Sequence, residues 1–174
     1  MSLIFLIGMP GVGKSHWGRI WAEASGYDFA DLDDCAAAQA GMSIPEIFRS
    51  IGEEGFRALE TAVLGDAIAT AGGRDTLIAT GGGTPVFNNN MDLMLESGCV
   101  VYLRAGIDRL LRQITGSLTG RPLLHDAEDG VAALKALQEQ RKAFYERAHI
   151  SIELEKIRTD TFAQIIHQCT SRQL

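Results

Sequence analysis

The chain has 174 residues, the length of one domain that buries a core without staples. Hydrophobic residues make up 46% and charged residues 22%, which excludes a disordered tail, a fibrous repeat and a membrane channel. Sixteen basic residues stand against 22 acidic ones, a formal net charge of -6. Nucleic acid and anionic lipid select basic surfaces, so neither is expected as a partner.

The continuous apolar run Leu3 to Ile7 ends at Gly8 and reads as a strand buried on both faces, as in a parallel sheet. Lys14 to Ser25 reads as a helix closed by Gly26. Tyr27 to Asp31 is a second strand, and Ser43-Ile44-Pro45-Glu46 has capping-box spacing for a short helix. Gly52 to Ala71 carries apolar residues at Phe56, Leu59, Val63, Leu64 and Ala67 and reads as a longer helix. Thr76 to Thr80 is a third strand, followed by Gly81-Gly82-Gly83, and Asn88 to Asn90 cap the next helix. Cys99 to Leu103 is a fourth strand, Ile107 to Thr115 a helix and Gly116 to Leu124 an exposed loop. Gly130 to Ala148 is helical, Ile150 to Leu154 is a fifth strand, and Asp160 caps a final helix. Strands alternating with helices indicate an α/β fold with a largely parallel sheet and no second domain.

Cys35, Cys99 and Cys169 are odd in number and widely spaced, so no disulfide framework is implied and they read as small core residues in a reducing compartment. The four histidines are scattered, and no second ligand pair joins His167 and Cys169 in a zinc site. The first apolar run has no basic flank and is too short for a signal peptide. No run reaches the length of a membrane span, so the cytoplasm is the expected compartment. Trp17 and Trp21, four apart, read as packing residues, as do Met91, Met94 and Leu95.

Gly8-Met9-Pro10-Gly11-Val12-Gly13-Lys14-Ser15 fits G-x-x-x-x-G-K-[ST], with a buried strand before it and a helix after. Glycines let backbone N–H groups turn inward around phosphate oxygens, and the helix N-terminus adds partial positive charge. Gly11, Val12, Gly13, Lys14, Ser15 and His16 are the expected nucleotide contacts. Lys14 reaches the β- and γ-phosphates and Ser15 offers its hydroxyl to Mg²⁺. No Asn is followed by Lys, so the guanine motif of a GTPase switch is absent, and the chain is small for a motor. A small kinase is the natural class.

Asp31-Leu32-Asp33 places two carboxylates two residues apart, on one face if the strand continues that far. One would then serve Mg²⁺ and the other an acceptor hydroxyl. The alternative is a solvated strand end with Asp34 as a helix N-cap.

These residues, in this order, resemble shikimate kinase over nearly the whole chain. The phosphate loop is followed by Phe29-Ala30-Asp31-Leu32-Asp33, Gly41 to Phe48, Gly52-Glu53, Phe56-Arg57 with Glu60, Gly81-Gly82-Gly83, Arg121-Pro122-Leu123-Leu124 and Arg141 through Tyr145. The resemblance implies a three-layer α/β P-loop kinase fold over residues 1–174, with a five-stranded parallel sheet flanked by helices, substrate-binding helices over 33–60 and a mobile lid over 112–124. It implies transfer of the γ-phosphoryl of ATP to the 3-hydroxyl of shikimate, with Mg²⁺, in aromatic amino-acid synthesis. Asp33 would align or deprotonate the acceptor hydroxyl, while Arg57 and Arg141 would clamp the shikimate carboxylate. Gly81, Gly82 and Gly83 would bring backbone close to the ring. Arg121 would close over the phosphates from the lid, Arg112 would assist at the adenine side, and Asp31 would join the Mg²⁺ shell through water. Arg57 and Glu60 share a helix face and should pair. The lid is poorer in charge than family lids, and Glu155 to Asp160 matches the adenine loop loosely, with Arg158 read as solvated. The rivals are a kinase of another anionic polyol, such as gluconate, and a non-catalytic nucleotide-binding module. A monomer is expected, because no long apolar stripe is evident.

Overall fold

β1 (Leu3–Ile7) is buried at every position, as its unbroken apolar run requires. It pairs in parallel with β3 (Thr76–Ala79) on one side and β4 (Cys99–Arg104) on the other. β2 (Asp28–Asp31) pairs with β3 and β5 (Ile150–Glu153) with β4, so the sheet order is β2-β3-β1-β4-β5, parallel throughout. This computed structural model describes residues 2–116, 127–158 and 160–171, without the side chains of 113–116 and 127–129. The helices between the strands are α1 (Lys14–Ser25), α2 (Leu32–Ala40), α3 (Ile44–Ala71), α4 (Asn90–Ser97), α5 (Ile107–Gly116), α6 (Ala127–Tyr145) and α7 (Thr161–Ser171). Ile4, Phe5, Leu6, Ile7, Leu77, Ile78, Val100, Val101 and Leu103 are fully buried at the centre, each contributing about 1.5–3 kcal/mol.

The sheet brings the phosphate loop, the end of β2 and the Gly81-Gly82-Gly83 segment to the same carboxyl edge, where parallel α/β sheets bind ligands. Thr80 ties two of these ends together, because its N–H and hydroxyl both donate to the Leu6 carbonyl (3.1 and 3.0 Å). The Ser43 capping box forms, with Glu46 accepting from the Ser43 N–H at 2.8 Å and from its hydroxyl at 2.6 Å. The expected break between a short and a long helix lies inside α3, at Gly52 (φ 69°, ψ -176°). Trp21 stacks on Phe162 of α7 at 5.4 Å, and Met91 and Met94 are buried, so these are packing residues.

Several expectations are corrected. β2 ends at Asp31 and α2 begins at Leu32, so Asp31 and Asp33 do not share a strand face. Asp31, rather than Asp34, is the N-cap; its carboxylate accepts from the Asp33 N–H at 3.0 Å. Asp34 pairs instead with Arg19 at 2.6 Å. Asn89 caps α4 through a left-handed backbone (φ 57°) and without a side-chain bond. α6 runs Ala127–Tyr145, three residues earlier than expected at each end. Asp160, by contrast, stands directly before α7 (Thr161–Ser171) as expected, its carbonyl accepting from the Gln164 N–H at 3.2 Å and its carboxylate from the Gln164 side chain at 2.9 Å. Cys99 and Cys169 form a disulfide that fastens the end of α7 to the start of β4, and Cys35 alone is a free thiol. No described helix is long and apolar enough to cross a membrane.

Candidate active site

A cleft of about 780 Å³ opens at the carboxyl edge of the sheet. Its walls include Lys14, Ser15 and His16 of the phosphate loop, Asp33 of α2, Arg57 and Glu60 of α3, Gly81 to Gly83 after β3, and Arg141 of α6. Residues from five separate stretches of sequence therefore meet in one place. Gly11 and Gly13 hold the loop at φ 79° and 91°, conformations that L side chains resist. The Lys14 ammonium, buried beneath the loop, donates to the Gly8 and Met9 carbonyls at 2.9 and 3.1 Å. Ser15 and His16 are exposed at the first turn of α1.

The Arg57 pair is more elaborate than a surface ion pair. Arg57 Nη1 donates to Glu60 at 2.5 Å and Nη2 to Glu53 at 3.2 Å. Its guanidinium lies 4.2 Å from the Phe87 ring centre and 5.2 Å from that of Phe56, close enough for cation–π attraction. Glu60 is 3% exposed. Its other carboxylate oxygen accepts from the Thr84 hydroxyl at 2.7 Å, and the Thr84 carbonyl accepts from Asn90 at 3.0 Å. Asn88 donates to the Arg57 carbonyl at 3.1 Å. Among the described residues, two buried guanidinium nitrogens have no hydrogen-bond partner: Arg57 Nε and Arg141 Nη1. A buried unpaired donor is costly, and both arginines face the same cleft.

The triple glycine is explained by close approach. A Cβ on Gly81 would lie 2.6 Å from Glu60 Oε1 and 3.1 Å from Asp33 Oδ1. A Cβ on Gly82 would lie 2.7 Å from Pro10, and one on Gly83 2.6 Å from Arg57 Nη1. The bare backbone thus runs between the acidic, the basic and the phosphate-binding groups. Tyr145, the last residue of α6, donates its hydroxyl to the Gly82 carbonyl at 2.6 Å. Burial pushes its phenol up to about 12, against the opposing pull of Arg141.

The structure brings Lys14, Ser15, His16, Asp33, Arg57, Gly81, Gly82, Gly83 and Arg141 to one cleft, along with Gly11 and Gly13. Val12 is buried behind the loop, and Asp31 caps α2 at the end of β2. Arg112 is exposed on α5, and Arg121 lies outside the described residues. Arg158 donates to the Glu155 and Ile157 carbonyls, both at 2.8 Å. The motifs assign no site role to Thr84 or Phe87, and Asn88 and Asn90 are expected only as helix caps. They sit in Thr84 to Asn90, directly after the triple glycine, and proximity to that motif was the available signal.

A sequence-family model described as shikimate kinase matches residues 10–171. A shikimate kinase of Parasynechococcus marenigrum is 45% identical over 150 residues, covering 86% of this chain and 75% of that protein. A shikimate kinase of Parabacteroides distasonis is 34% identical and covers 92% of both. A solved structure of shikimate kinase from Acinetobacter baumannii in complex with shikimate superposes with a TM-score of 0.84 at 31% identity, over 100% of this chain and 96% of that one. A gluconokinase from Sinorhizobium meliloti reaches a TM-score of 0.54 at 16% identity, over 98% of this chain and 90% of that one, a likeness of fold alone.

Proposed function

The chain belongs to the shikimate kinase family, ATP-dependent phosphotransferases of aromatic biosynthesis, and from that premise we propose how its cleft performs the reaction. The observation that carries the reading is that two arginines, Arg57 and Arg141, line the cleft that also holds the phosphate loop. Two guanidinium groups in one cleft select an anionic acceptor, and a planar carboxylate matches guanidinium geometry. Shikimate carries that carboxylate, and a relative of this fold is a structure in complex with it.

In this reading the nucleotide phosphates lie on the loop backbone. The Lys14 ammonium exchanges its two carbonyl partners for phosphate oxygens. Arg57, held by Glu60, Glu53 and Phe87, fixes the acceptor carboxylate together with Arg141. Asp33, beside Gly81, receives the 3-hydroxyl and aligns it for in-line attack on the γ-phosphorus. The hydroxyl oxygen forms the new P–O bond as the bond to the β-phosphate oxygen breaks, and Asp33 takes or directs the released proton. The gain comes from positioning and from charge stabilisation. Arg121 and Arg112 are assigned to the phosphates and the adenine side on resemblance.

Mg²⁺ fits the oxygen donors present. One Asp31 oxygen is committed to the Asp33 N–H, and the other would reach the ion through water. Ser15 supplies a hydroxyl. No cluster of three metal-binding side chains exists among the described residues, which suits a cation that draws most ligands from phosphate and water. When bound, Mg²⁺ neutralises phosphate charge. We assign the whole chain to one kinase domain acting as a monomer in the cytoplasm.

Asp33→Asn tests the acceptor role. Turnover should fall by at least a hundredfold while ATP affinity stays within about twofold, since general-base effects span roughly 10²–10⁴. Near-normal turnover by this variant would rule out Asp33 as the group that aligns the hydroxyl.

A further inference from the structure

Tyr145 is fully buried, yet its hydroxyl touches two loops of different purpose. It donates to the Gly82 carbonyl at 2.6 Å and lies 3.9 Å from the Met9 sulfur in the phosphate loop. A phenol has one proton, and the shorter contact to the stronger acceptor takes it. The Met9 contact is therefore packing of a thioether against the hydroxyl. The ring is held from behind by Tyr102, 4.9 Å away between centres, and Tyr102 is in register with Ile7, the last residue of β1 before the phosphate loop. Gly82 itself is pressed between Pro10 and Arg141, which would stand 2.7 and 3.0 Å from a Cβ there. Arg141 lies one turn before Tyr145 on α6.

No cis peptide occurs among the described residues. In a trans peptide the C=O and N–H point in opposite directions. Holding the Gly82 carbonyl onto Tyr145 therefore turns the Gly83 N–H away from the phenol. That N–H makes no hydrogen bond to another described residue, and Gly83 lines the cleft.

We infer that Tyr145 is a positioning residue that fixes the orientation of the Gly82–Gly83 peptide, so that the Gly83 N–H is a preset donor to the acceptor substrate. The inference rests on the reading of this cleft as the shikimate site. Catalysis by positioning is sensitive to such presetting, because a misplacement of about 1 Å costs on the order of a hundredfold.

The test is Tyr145→Phe, which keeps the ring and removes only the hydroxyl. The KM for shikimate should rise about tenfold, the scale of one lost orienting hydrogen bond, while the KM for ATP stays within about twofold. Tyr102→Phe, whose hydroxyl does not reach Gly82, is the control and should leave both values unchanged. Equal rises in both KM values for Tyr145→Phe, or no rise in either, overturn the inference and leave Tyr145 a packing residue. A second measurement needs no variant. In the wild-type protein the Gly83 amide resonance should shift when shikimate is added without nucleotide, and a stationary resonance in protein that binds shikimate overturns the inference. Wild-type protein that neither binds nor phosphorylates shikimate instead refutes the underlying reading.

Discussion

Removing the Glu60 carboxylate should damage both the fold and acceptor binding, by amounts that the burial of its partners sets. Glu60 is 3% exposed and Arg57 13% in their side chains, with 2.5 Å between them, so the pair is close to the buried limit. Truncating one partner of a buried pair costs roughly 3–5 kcal/mol, because the other charge is left unpaired. The exposed Glu53 at 63% offers weak compensation, since exposed pairs contribute at most about 1 kcal/mol. Glu60→Ala also strands the Thr84 hydroxyl. For a chain of this size each kcal/mol moves the midpoint by about 2–4 °C, so Glu60→Ala should melt roughly 6–20 °C below wild type. Glu60→Gln keeps an acceptor for Arg57, and the Thr84 hydroxyl can rotate to accept from its amide. It should lose about 1–2 kcal/mol. Thermal unfolding by circular dichroism, with KM values measured at a temperature where each variant is folded, reads both effects. The KM for shikimate should rise in the order wild type, Gln, Ala, with the ATP value nearly constant. An Ala variant that melts within 2 °C of wild type, at an unchanged shikimate KM, would refute the claim that Glu60 holds the clamp.

Gly83→Ala should raise the shikimate KM by at least tenfold, because the added Cβ would stand 2.6 Å from Arg57 Nη1 and push the guanidinium off its partners; steady-state kinetics at unchanged ATP saturation checks it, and wild-type values would contradict it. Reduction of the Cys99–Cys169 disulfide, which spans 70 residues, should cost about 4 kcal/mol in chain entropy. Thiol titration of the unfolded oxidised chain should find only Cys35; three reactive thiols would show that the pair does not form. Stability should also fall from about pH 10 to about pH 12, since burial raises the Tyr145 phenol to about 12. The folded state favours the neutral phenol, so this contribution, about 2–3 kcal/mol, is complete below the unfolded value near 10 and lost as pH climbs. Tyr145→Phe should flatten that fall in urea titrations at graded pH, although Tyr102, raised by burial too, keeps part of it.

Local chemistry made much of this molecule legible from its residues. β1 and α1 match their expected limits residue for residue, because an apolar run, a phosphate loop and a closing glycine leave the backbone few choices. The Arg57–Glu60 pair followed from helical spacing. Asp33 was harder. Two carboxylates at strand spacing look like a strand face, but Asp31 turns the chain by accepting the Asp33 N–H, and the second carboxylate belongs to a helix. The partners of Glu60 and Tyr145 were illegible for another reason. Thr84 is 24 residues from Glu60, and Gly82 is 63 from Tyr145, so only the sheet order joins them. The disulfide was hidden likewise by an odd cysteine count and a separation of 70 residues.

The central claim, that this cleft phosphorylates shikimate, is tested most directly by ADP release from Mg-ATP with shikimate, gluconate or no acceptor in parallel. The account predicts rapid release with shikimate alone, abolished by Asp33→Asn. Silence with shikimate in folded protein that binds ATP, or equal release with gluconate, would contradict it.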